Sequence, residues 1–374
     1  MTPTARRVGK GAERAVPTRI RQRRGPYGNA SGMSPHGGHA SLCPPYGGVL
    51  NLKKIREDAV RPLKTLAVAA LIAACAAAAQ AEPVRIGFAA ESLDYAPAFA
   101  AERLGLFKKH NLDVKLIVFR GGAAAQEAMG AGATDIIAYF SPAVALAVSK
   151  GVKEKMVATV SAGHVGWNAI VKADSPIKTI QDLAGRKVGI SAKATTSDVA
   201  ALWIADKAGV KFQEIPLGAA LAPALRSGQV DAIVFSALIT LREIEAGQAR
   251  SIIDLTAEMP PTLANVYVAT QEMIDKRPQD LRAALAAIYE ALAYMRDNRA
   301  WTLGYLKEFA KSDNEKLNEQ LYSHVIRELS PDGRIEKAWI QNGLALAARA
   351  WDMPDLAKAN PDALYTNEFL PKSK

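Results

Sequence analysis

From Val84 onward, short runs of β-branched and other apolar residues alternate with longer segments whose apolar positions recur at helical spacing. Runs such as Val84–Phe88 predict buried strands, and the intervening segments predict helices. Further strands are predicted over residues 112–119, 134–139, 155–161, 167–172, 188–190, 212–216, 231–235, 251–255 and 266–269. Strands that alternate with helices are typical of an α/β fold.

The segment Gly185–Gly209 combines a strand, a small polar loop and a helix. We predict that Ser197 is the N-cap of this helix and that Gly209 ends it. The junction between strand and helix presents unpaired N–H groups and the positive end of a helix dipole, which suits an anionic or strongly polar ligand. The alternative is a simple connection, because caps and turns use the same residue types.

The first half of the chain repeats this plan with the strand Val84–Phe88, the loop Ala89–Tyr95 and the helix Pro97–Leu106. A second repeat relates residues 130–138 to 227–234, where a helix ends near glycine and Asp135 or Asp231 opens the next strand. We expect these two aspartates to fix the turn rather than to contact a ligand.

The chain beyond Pro278 is predicted to be helical. Leu281, Leu285, Ile288, Leu292 and Met295 follow the spacing of one helix face. We expect this C-terminal segment to pack against the first half of the α/β region.

The formal net charge of +10 belongs to the beginning of the chain. Residues 1–81 contain 13 Lys and Arg against 3 Asp and Glu, and the remaining residues contain 34 of each kind. The α/β region therefore carries no charge excess that would favour a nucleic-acid partner. Residues 1–52 are rich in Arg, Gly, Pro and Ser, and we interpret them as a disordered basic leader or an over-extended gene start.

Residues 53–81 have the pattern of a signal peptide, with a basic start, the apolar run Leu66–Ala79 and the small-residue cleavage motif Ala79–Ala81. The run is too short for a membrane span, which needs about 20 residues. An alternative is a lipid anchor on Cys75, because Ile72–Cys75 resembles a lipobox. Cleavage after Ala81 removes both cysteines of the chain, so we expect no disulfide or thiolate chemistry.

Several stretches together resemble one family, the substrate-binding proteins of ABC importers in the nitrate/sulfonate/taurine group, which includes binders of thiamine pyrimidine precursors. The similar stretches are V-R-I-G-F, A-P-A-F-A-A-E-R-L-G-L-F-K-K-H-N-L-D-V, G-G-A-A-A-Q-E-A-M-G-A-G-A-T-D, I-K-T-I-Q-D-L-A-G-R-K-V-G and L-R-S-G-Q-V-D-A. They cover most of residues 84–255 and do not select a ligand within the family.

The resemblance implies a type II-like periplasmic-binding-protein fold, with two lobes around a ligand cleft and a helical C-terminal segment. It places residues 84–172 and 263–374 in the first lobe and residues 173–262 in the second. The hinge is then expected near Ala173–Pro176 and Pro260-Pro261. The implied partners are a small-molecule solute and an ABC permease and ATPase in the inner membrane, and the implied protein is a periplasmic monomer.

Loops at the strand ends supply the expected ligand contacts, because ligands of such folds bind where loops leave the strands. The candidates are Asp94, Tyr95, Tyr139, Ser141, His164, Trp167, Lys193, Thr195, Thr196, Ser197, Ser236 and Asn265. For an anion, we expect Lys193 and the N–H groups near Thr195 to bind it. The aromatic candidates, together with the acidic Asp94 and Glu91, favour an organic body, for example a ring that carries a basic group. We therefore predict a small organic anion or polar organic solute, sulfonate-like or aromatic/heterocyclic, and no metal or cofactor.

Two other classes of function remain alternatives. An enzyme on the same fold is one, but the pyrimidine-synthesising relatives use a Cys-rich motif, and no cysteine follows Ala81. Nucleophile-elbow, Walker and zinc-protease motifs are absent from the sequence. A transcriptional effector-binding domain is the other, and the predicted signal peptide argues against it.

Overall fold

The computed structural model describes residues 82–164 and 166–371, which contain two five-stranded mixed sheets flanked by helices. The predicted leader over residues 1–52, the predicted signal peptide over residues 53–81 and Cys75 lie outside the described residues. In the part of the chain that is described, no helix is both long and apolar enough to cross a membrane.

The first sheet consists of β1 (Val84–Phe88), β2 (Val114–Val118), β3 (Ile136–Phe140), β4 (Glu154–Ala162) and β10 (Leu263–Thr270). Its strand order is β2-β1-β3-β10-β4. The first three strands are parallel, and β10 runs antiparallel between β3 and β4. Strand β3 is buried along its whole length, which explains its continuous apolar sequence.

The second sheet consists of β5 (Asn168–Lys172), β6 (Lys187–Ile190), β7 (Gln213–Pro216), β8 (Ala232–Phe235) and β9 (Ala249–Asp254). Its strand order is β7-β6-β8-β5-β9. Strand β6 is parallel to β7 and β8, whereas β5 is antiparallel to β8 and β9. Both sheets thus have the same plan: one antiparallel strand, β10 or β5, lies between three adjacent parallel strands and a fourth strand that runs in the same direction as those three.

The boundary between the lobes differs from the one predicted at residues 172 and 173. Strand β5 belongs to the second sheet, so the chain leaves the first sheet after Ala162 rather than after Lys172. The strand itself was predicted, but its partners β8 and β9 are more than 60 residues further along the chain. The chain returns to the first sheet between β9 and β10, and this second crossing includes Pro260-Pro261. The N–H of Gly163 in the first crossing donates to the carbonyl of Thr262 in the second, so a hydrogen bond joins the two crossings.

The two repeated aspartates tie strand starts together in the same way. Asp135 Oδ2 accepts the backbone N–H of Arg85 at 2.8 Å, and Asp231 Oδ2 accepts that of Lys187 at 2.8 Å. Asp135 also pairs with the Arg85 guanidinium at 2.7 Å. Both carboxylates therefore have a structural role, but they bind the neighbouring strand, whereas the sequence analysis expected them to fix the turn before their own strand.

Helices connect the strands and cover both sheets. They are α1 (Ala96–Arg103), α2 (Leu106–Lys109), α3 (Gly122–Gly130), α4 (Ser141–Ser149), α5 (Thr196–Ala208), α6 (Leu221–Ser227), α7 (Ala237–Glu245), α8 (Leu255–Glu258) and α9 (Gln271–Lys276). Short 3-10 turns occupy Leu93–Tyr95, Ile180–Leu183, Gly218–Ala220 and Pro354–Lys358. Each sheet has an apolar core of its own under these helices.

The C-terminal segment contains α10 (Pro278–Asp297), α11 (Arg299–Ala310), α12 (Glu315–Glu328), α13 (Lys337–Ala350) and the short α14 (Pro361–Leu364). The five apolar positions predicted to form one face of α10 are all fully buried in the core of the first sheet, which confirms that packing.

The last helices also contact the second sheet's helices, which the prediction did not include. Lys316 of α12 pairs with Glu245 of α7 at 3.0 Å, and Arg349 of α13 pairs with Asp206 of α5 at 2.5 Å. The C-terminal segment therefore bridges the two halves of the molecule.

Candidate functional site

A cavity of about 820 Å³ lies between the two sheets. Loops that follow β1, β2 and β3 line it from the first sheet, and loops that follow β6, β7 and β8 line it from the second. These are the carboxyl ends of the parallel strands, where ligands bind in open α/β sheets. The site is therefore built by the strand order itself.

Eight of the twelve predicted residues line this cavity. They are Tyr95, Tyr139, Trp167, Thr195, Thr196, Ser197, Ser236 and Asn265. Tyr95 and Thr195, which are 100 positions apart in the sequence, come to the same cavity. Loops from both halves of the chain thus meet at one cavity, as a two-lobed fold requires.

Seven aromatic side chains contribute to the cavity, and we call them the aromatic lining: Tyr95, Phe119, Tyr139, Phe140, Trp167, Phe235 and Phe309. Trp167 packs against Phe235 with ring centres 5.6 Å apart. Burial raises the pKa of Tyr139 to about 12, and burial also raises the pKa of Tyr95. Both phenols therefore stay neutral and offer an apolar ring with a hydroxyl group.

The hydroxyl groups at the start of α5 bond to one another. Ser197 Oγ accepts the backbone N–H of Ser191 at 2.9 Å, and the Ser191 and Ser197 hydroxyl oxygens are 2.7 Å apart. Thr195 donates to the carbonyl of Ala192 at 2.7 Å. Thr195 is the N-cap residue, so the prediction of Ser197 as N-cap is wrong by two positions. The loop is a neutral, internally bonded cluster.

Lys193 does not line the cavity, contrary to our prediction. Its Nζ lies 3.1 Å from Oδ1 of the buried Asp198 and also pairs with Glu214 of β7. Asp198 in the first turn of α5 further accepts the N–H of Ala194 at 2.9 Å. A carboxylate of the chain therefore already compensates the positive end of this helix, and the predicted anion site at Lys193 is occupied.

Asp94 lies directly behind the cavity rather than in its lining. Its Oδ2 accepts from Asn265 Nδ2 at 2.8 Å and from the Ser161 hydroxyl at 3.3 Å, and its Oδ1 is 3.2 Å from His324 Nε2. Since Asn265 lines the cavity, Asp94 acts on the site by holding the Asn265 amide.

Two further predicted residues are also structural. The Ser141 hydroxyl donates to the carbonyl of Leu263, which ties α4 to β10. His164 is buried beside the crossing, with its Nδ1 3.4 Å from the Thr262 hydroxyl, and burial lowers its pKa to about 4. Neither residue lines the cavity, because each lies one layer behind the strand-end loops.

Three cationic residues that the sequence analysis missed line the cavity: Arg120, Arg242 and Lys311. Arg120 is the second residue after β2, so the strand-end argument was sufficient to find it. Arg242 lies on α7 and Lys311 follows α11, and neither position carries a local signal. The one carboxylate of the lining is Glu91. Among the described residues, no group of three or more His, Cys, Asp or Glu side chains is placed to hold a metal ion.

The profile of a family described as NMT1/THI5 like matches residues 92–300. A Brucella abortus protein provisionally named a binding protein is 27% identical over 275 residues, which are 70% of this chain and 84% of the relative. A Haemophilus influenzae protein provisionally named a thiamine biosynthesis protein is 26% identical over 144 residues, 38% of this chain and 45% of its own length.

Solved structures with the same architecture include three bacterial proteins. A protein from Bordetella bronchiseptica is 26% identical, with a TM-score of 0.66 over 77% of this chain and 95% of its own. The alkanesulfonate-binding protein SsuA from Xanthomonas axonopodis, bound to MOPS, has 17% identity and a TM-score of 0.66 over 77% and 100%. The nitrate-binding protein NrtA from Synechocystis has 15% identity and a TM-score of 0.62 over 78% and 87%. These likenesses confirm the predicted two-lobed periplasmic-binding-protein fold.

Proposed function

Because the chain belongs to the NMT1/THI5-like family, we propose that it is the solute-binding component of an ABC importer. It captures a small organic anion or polar organic solute and delivers it unaltered to a permease and ATPase in the inner membrane. The observation that carries this proposal is the cavity of about 820 Å³, to which the strand-end loops of both sheets contribute. A cavity shared by two lobes lets one solute stabilise their closed arrangement.

The residues that line the cavity fit the binding of a solute better than the catalysis of a reaction. The hydroxyl groups of Ser191, Thr195 and Ser197 bond to one another and to the backbone, and within the described residues none of them bonds to a His, Asp or Glu side chain that would activate it as a nucleophile. Tyr95 and Tyr139 are held neutral by burial. These groups can donate and accept hydrogen bonds. Such hydrogen bonds become stronger when closure of the lobes excludes water from the cavity.

The proposed location is the periplasm. The predicted signal peptide over residues 53–81 supports it, and so do the solved sulfonate-binding and nitrate-binding proteins that share the fold. We propose cleavage after Ala81, with lipidation of Cys75 as the alternative, and a protein that works as a monomer.

An enzyme on the same fold is the second candidate, and the Haemophilus influenzae relative is the observation that favours it. Its match spans less than half of either chain. Substrate turnover distinguishes the two functions, since a binding protein returns its solute chemically unchanged.

The test is a thermal-shift panel on the purified protein with sulfonates, carboxylates, aromatic acids and pyrimidines, followed by mass spectrometry of the recovered compound. A solute present at 100 times its dissociation constant should stabilise the folded protein by about 2.7 kcal/mol. Deleting the gene should abolish uptake of the same solute by cells. Conversion of the compound, or normal uptake in the deletion strain, would overturn the proposal.

A matched pair of variants locates the binding in the cavity. Trp167→Leu removes part of the aromatic lining and should abolish the thermal shift. Trp301→Leu removes a ring that stacks on Tyr305 outside the cavity, 5.2 Å between centres, and should keep the shift. Equal shifts in the two variants would show that the solute binds elsewhere.

A further inference from the structure

We propose that the solute is an aromatic acid, a ring bearing one carboxylate or sulfonate, whose acidic group binds between Arg242 and Lys311. This inference rests on the proposed function and narrows its substrate class. It differs from the sequence expectation, which put an anion at Lys193 and the start of α5. We call Arg242 and Lys311 the cationic end of the cavity.

The size of the cavity argues for a bulky solute. Pockets for ring-sized and larger organic ligands measure about 300–1,000 Å³, and this cavity measures about 820 Å³. A bare oxyanion or a two-carbon sulfonate would leave most of that space to water. The solute therefore needs a body as well as an acidic group.

The surface of the cavity argues that this body is a flat ring. The aromatic lining comes from both sheets, with Tyr95 and Phe140 from the first and Trp167 and Phe235 from the second. Aromatic pairs adopt offset-stacked or edge-to-face arrangements, and each such pair adds about 0.5–1.5 kcal/mol beyond the burial of apolar area. Closure of the two lobes would bring aromatic side chains to both faces of a bound ring.

The charge of the cavity argues for an anion. Three cationic side chains line it against the single carboxylate of Glu91. Among the described residues, none of the three cations has a carboxylate within the 4.0 Å of an ion pair. Unpaired cations around an apolar cavity favour a solute that supplies the missing negative charge.

Arg242 is the cation that the structure holds in place. Its guanidinium donates through Nη2 to the carbonyl of Ala310, the residue before Lys311, so it lies beside the backbone segment that carries Lys311, and both residues line the cavity. The Nε of Arg242 is buried and has no hydrogen-bond partner in the described part of the chain. Arg242 belongs to α7 of the second sheet and Lys311 follows α11 of the C-terminal segment, so an acid bound to both would join the two halves.

The start of α5 offers no competing anion site. Asp198 already accepts from Lys193, Ala194 and Trp351 there, and a second negative charge beside it would be repelled. The hydroxyl groups of Ser191, Thr195 and Ser197 bond to one another, but they line the cavity, and their oxygens could accept a further hydrogen bond from a neutral polar substituent of the ring. The cavity thus contains neutral hydroxyl groups in addition to the cationic end.

A different role for Arg242 is that it only caps the last turn of α11. The cap alone predicts lower stability after substitution, with no preference between charged and neutral solutes. The binding role predicts a loss of affinity that is larger for charged solutes than for neutral ones.

The test is calorimetric titration with mono- and bicyclic aromatic carboxylates and sulfonates, each paired with its carboxamide or sulfonamide, and with methanesulfonate and acetate as ringless acids. We expect the aromatic acids to bind at least about tenfold more tightly than their amides and than the ringless acids. Arg242→Gln should weaken the binding of the acids by about tenfold or more and the binding of the amides by less than about twofold.

Arg296→Gln is the matched control, because Arg296 is also half-buried and donates to a backbone carbonyl, that of Leu329 at 3.2 Å, but does not line the cavity. It should leave every affinity unchanged. If Arg242→Gln fails to fold, the exposed Lys311→Gln should weaken the acids selectively by several-fold.

Three outcomes overturn the inference while leaving the proposed function intact. They are amides that bind as tightly as their acids, an Arg242→Gln protein that binds acids as the wild type does, and a different solute class that binds while no aromatic acid does. A protein that binds no solute and supports no uptake would instead overturn the proposed function.

Discussion

Trp351 donates its indole Nε1–H to Oδ2 of Asp198 over 2.8 Å. The same indole packs edge-on against Phe140 of β3, with ring centres 6.2 Å apart. Phe140 lines the cavity from the first sheet, and Asp198 lies in the first turn of α5 in the second. One side chain at the end of α13 thus contacts both halves beside the cavity, and the C-terminal segment is part of the site's support.

Trp351→Phe should test this support, because it keeps an aromatic ring beside Phe140 and removes the indole N–H donor. Asp198 is buried, so losing one of its hydrogen bonds should lower the free energy of unfolding by about 1–3 kcal/mol, measured by urea denaturation. Trp301→Phe is the control, since that indole stacks on Tyr305. An equal loss in both variants would contradict the role given to the Trp351–Asp198 bond.

Asp94→Asn should weaken both the fold and solute binding. The substitution turns an acceptor of the Asn265 and Ser161 donors into a group that also donates, in a fully buried position. We expect a loss of about 1–3 kcal/mol in the free energy of unfolding and a several-fold loss of affinity, because Asn265 lines the cavity. Asp113→Asn, an exposed position, should change neither quantity. Unchanged affinity in Asp94→Asn would show that the position of the Asn265 amide does not matter for solute binding.

His164 should make the protein sensitive to acid. Burial lowers the pKa of His164 from 6.5 to about 4, so between these values the unfolded chain binds a proton that the folded chain does not. Stability is then lost as the pH falls from 6.5 towards 4, by up to about 3 kcal/mol. His164→Phe keeps a ring beside Trp167 and has no such proton to bind. Denaturation at pH 7 and pH 4.5 should show a smaller fall for this variant, and an identical fall would contradict the assignment.

Gly122→Ala should disturb the aromatic lining. A Cβ at Gly122 would lie 2.5 Å from Cε2 of Tyr139, so the ring must move. We expect a loss of about 1–3 kcal/mol in stability and weaker solute binding, because overpacking displaces a side chain of the cavity. Gly130→Ala at the other end of α3 meets nothing within 4 Å and should be neutral or slightly stabilising. A neutral Gly122→Ala would contradict the contact.

The elements of the fold could be predicted from the sequence because burial imposes a local period. The apolar face of α10 at Leu281, Leu285 and Ile288 is buried as its spacing predicts. The assignment of β5 to a sheet could not be predicted in the same way. Strand pairing with β8 and β9 depends on residues more than 60 positions away, and nothing in Asn168–Lys172 encodes that choice.

The residues of the candidate site could likewise be predicted only where a local feature of the sequence marks them. Tyr95 and Thr195 were found because each lies near the carboxyl end of a strand, which is a local property. Lys193 was misjudged because its partner Glu214 lies 21 residues away on β7. Arg242 was missed because it lies inside α7, beyond the strand-end loop that begins this helix. Lys311 was missed because it follows α11 of the C-terminal segment, which reaches the cavity only through long-range packing.

The hydrogen bond between the N–H of Gly163 and the carbonyl of Thr262 constrains how the two halves can move. Two chain segments joined side by side can bend together, but they cannot slide past each other without breaking that bond. We therefore expect opening to be a swing about one axis near these segments, with little lateral shear. On that geometry we expect a solute to enter and leave from the rim opposite the paired segments, and we expect the proposed permease to approach the same rim.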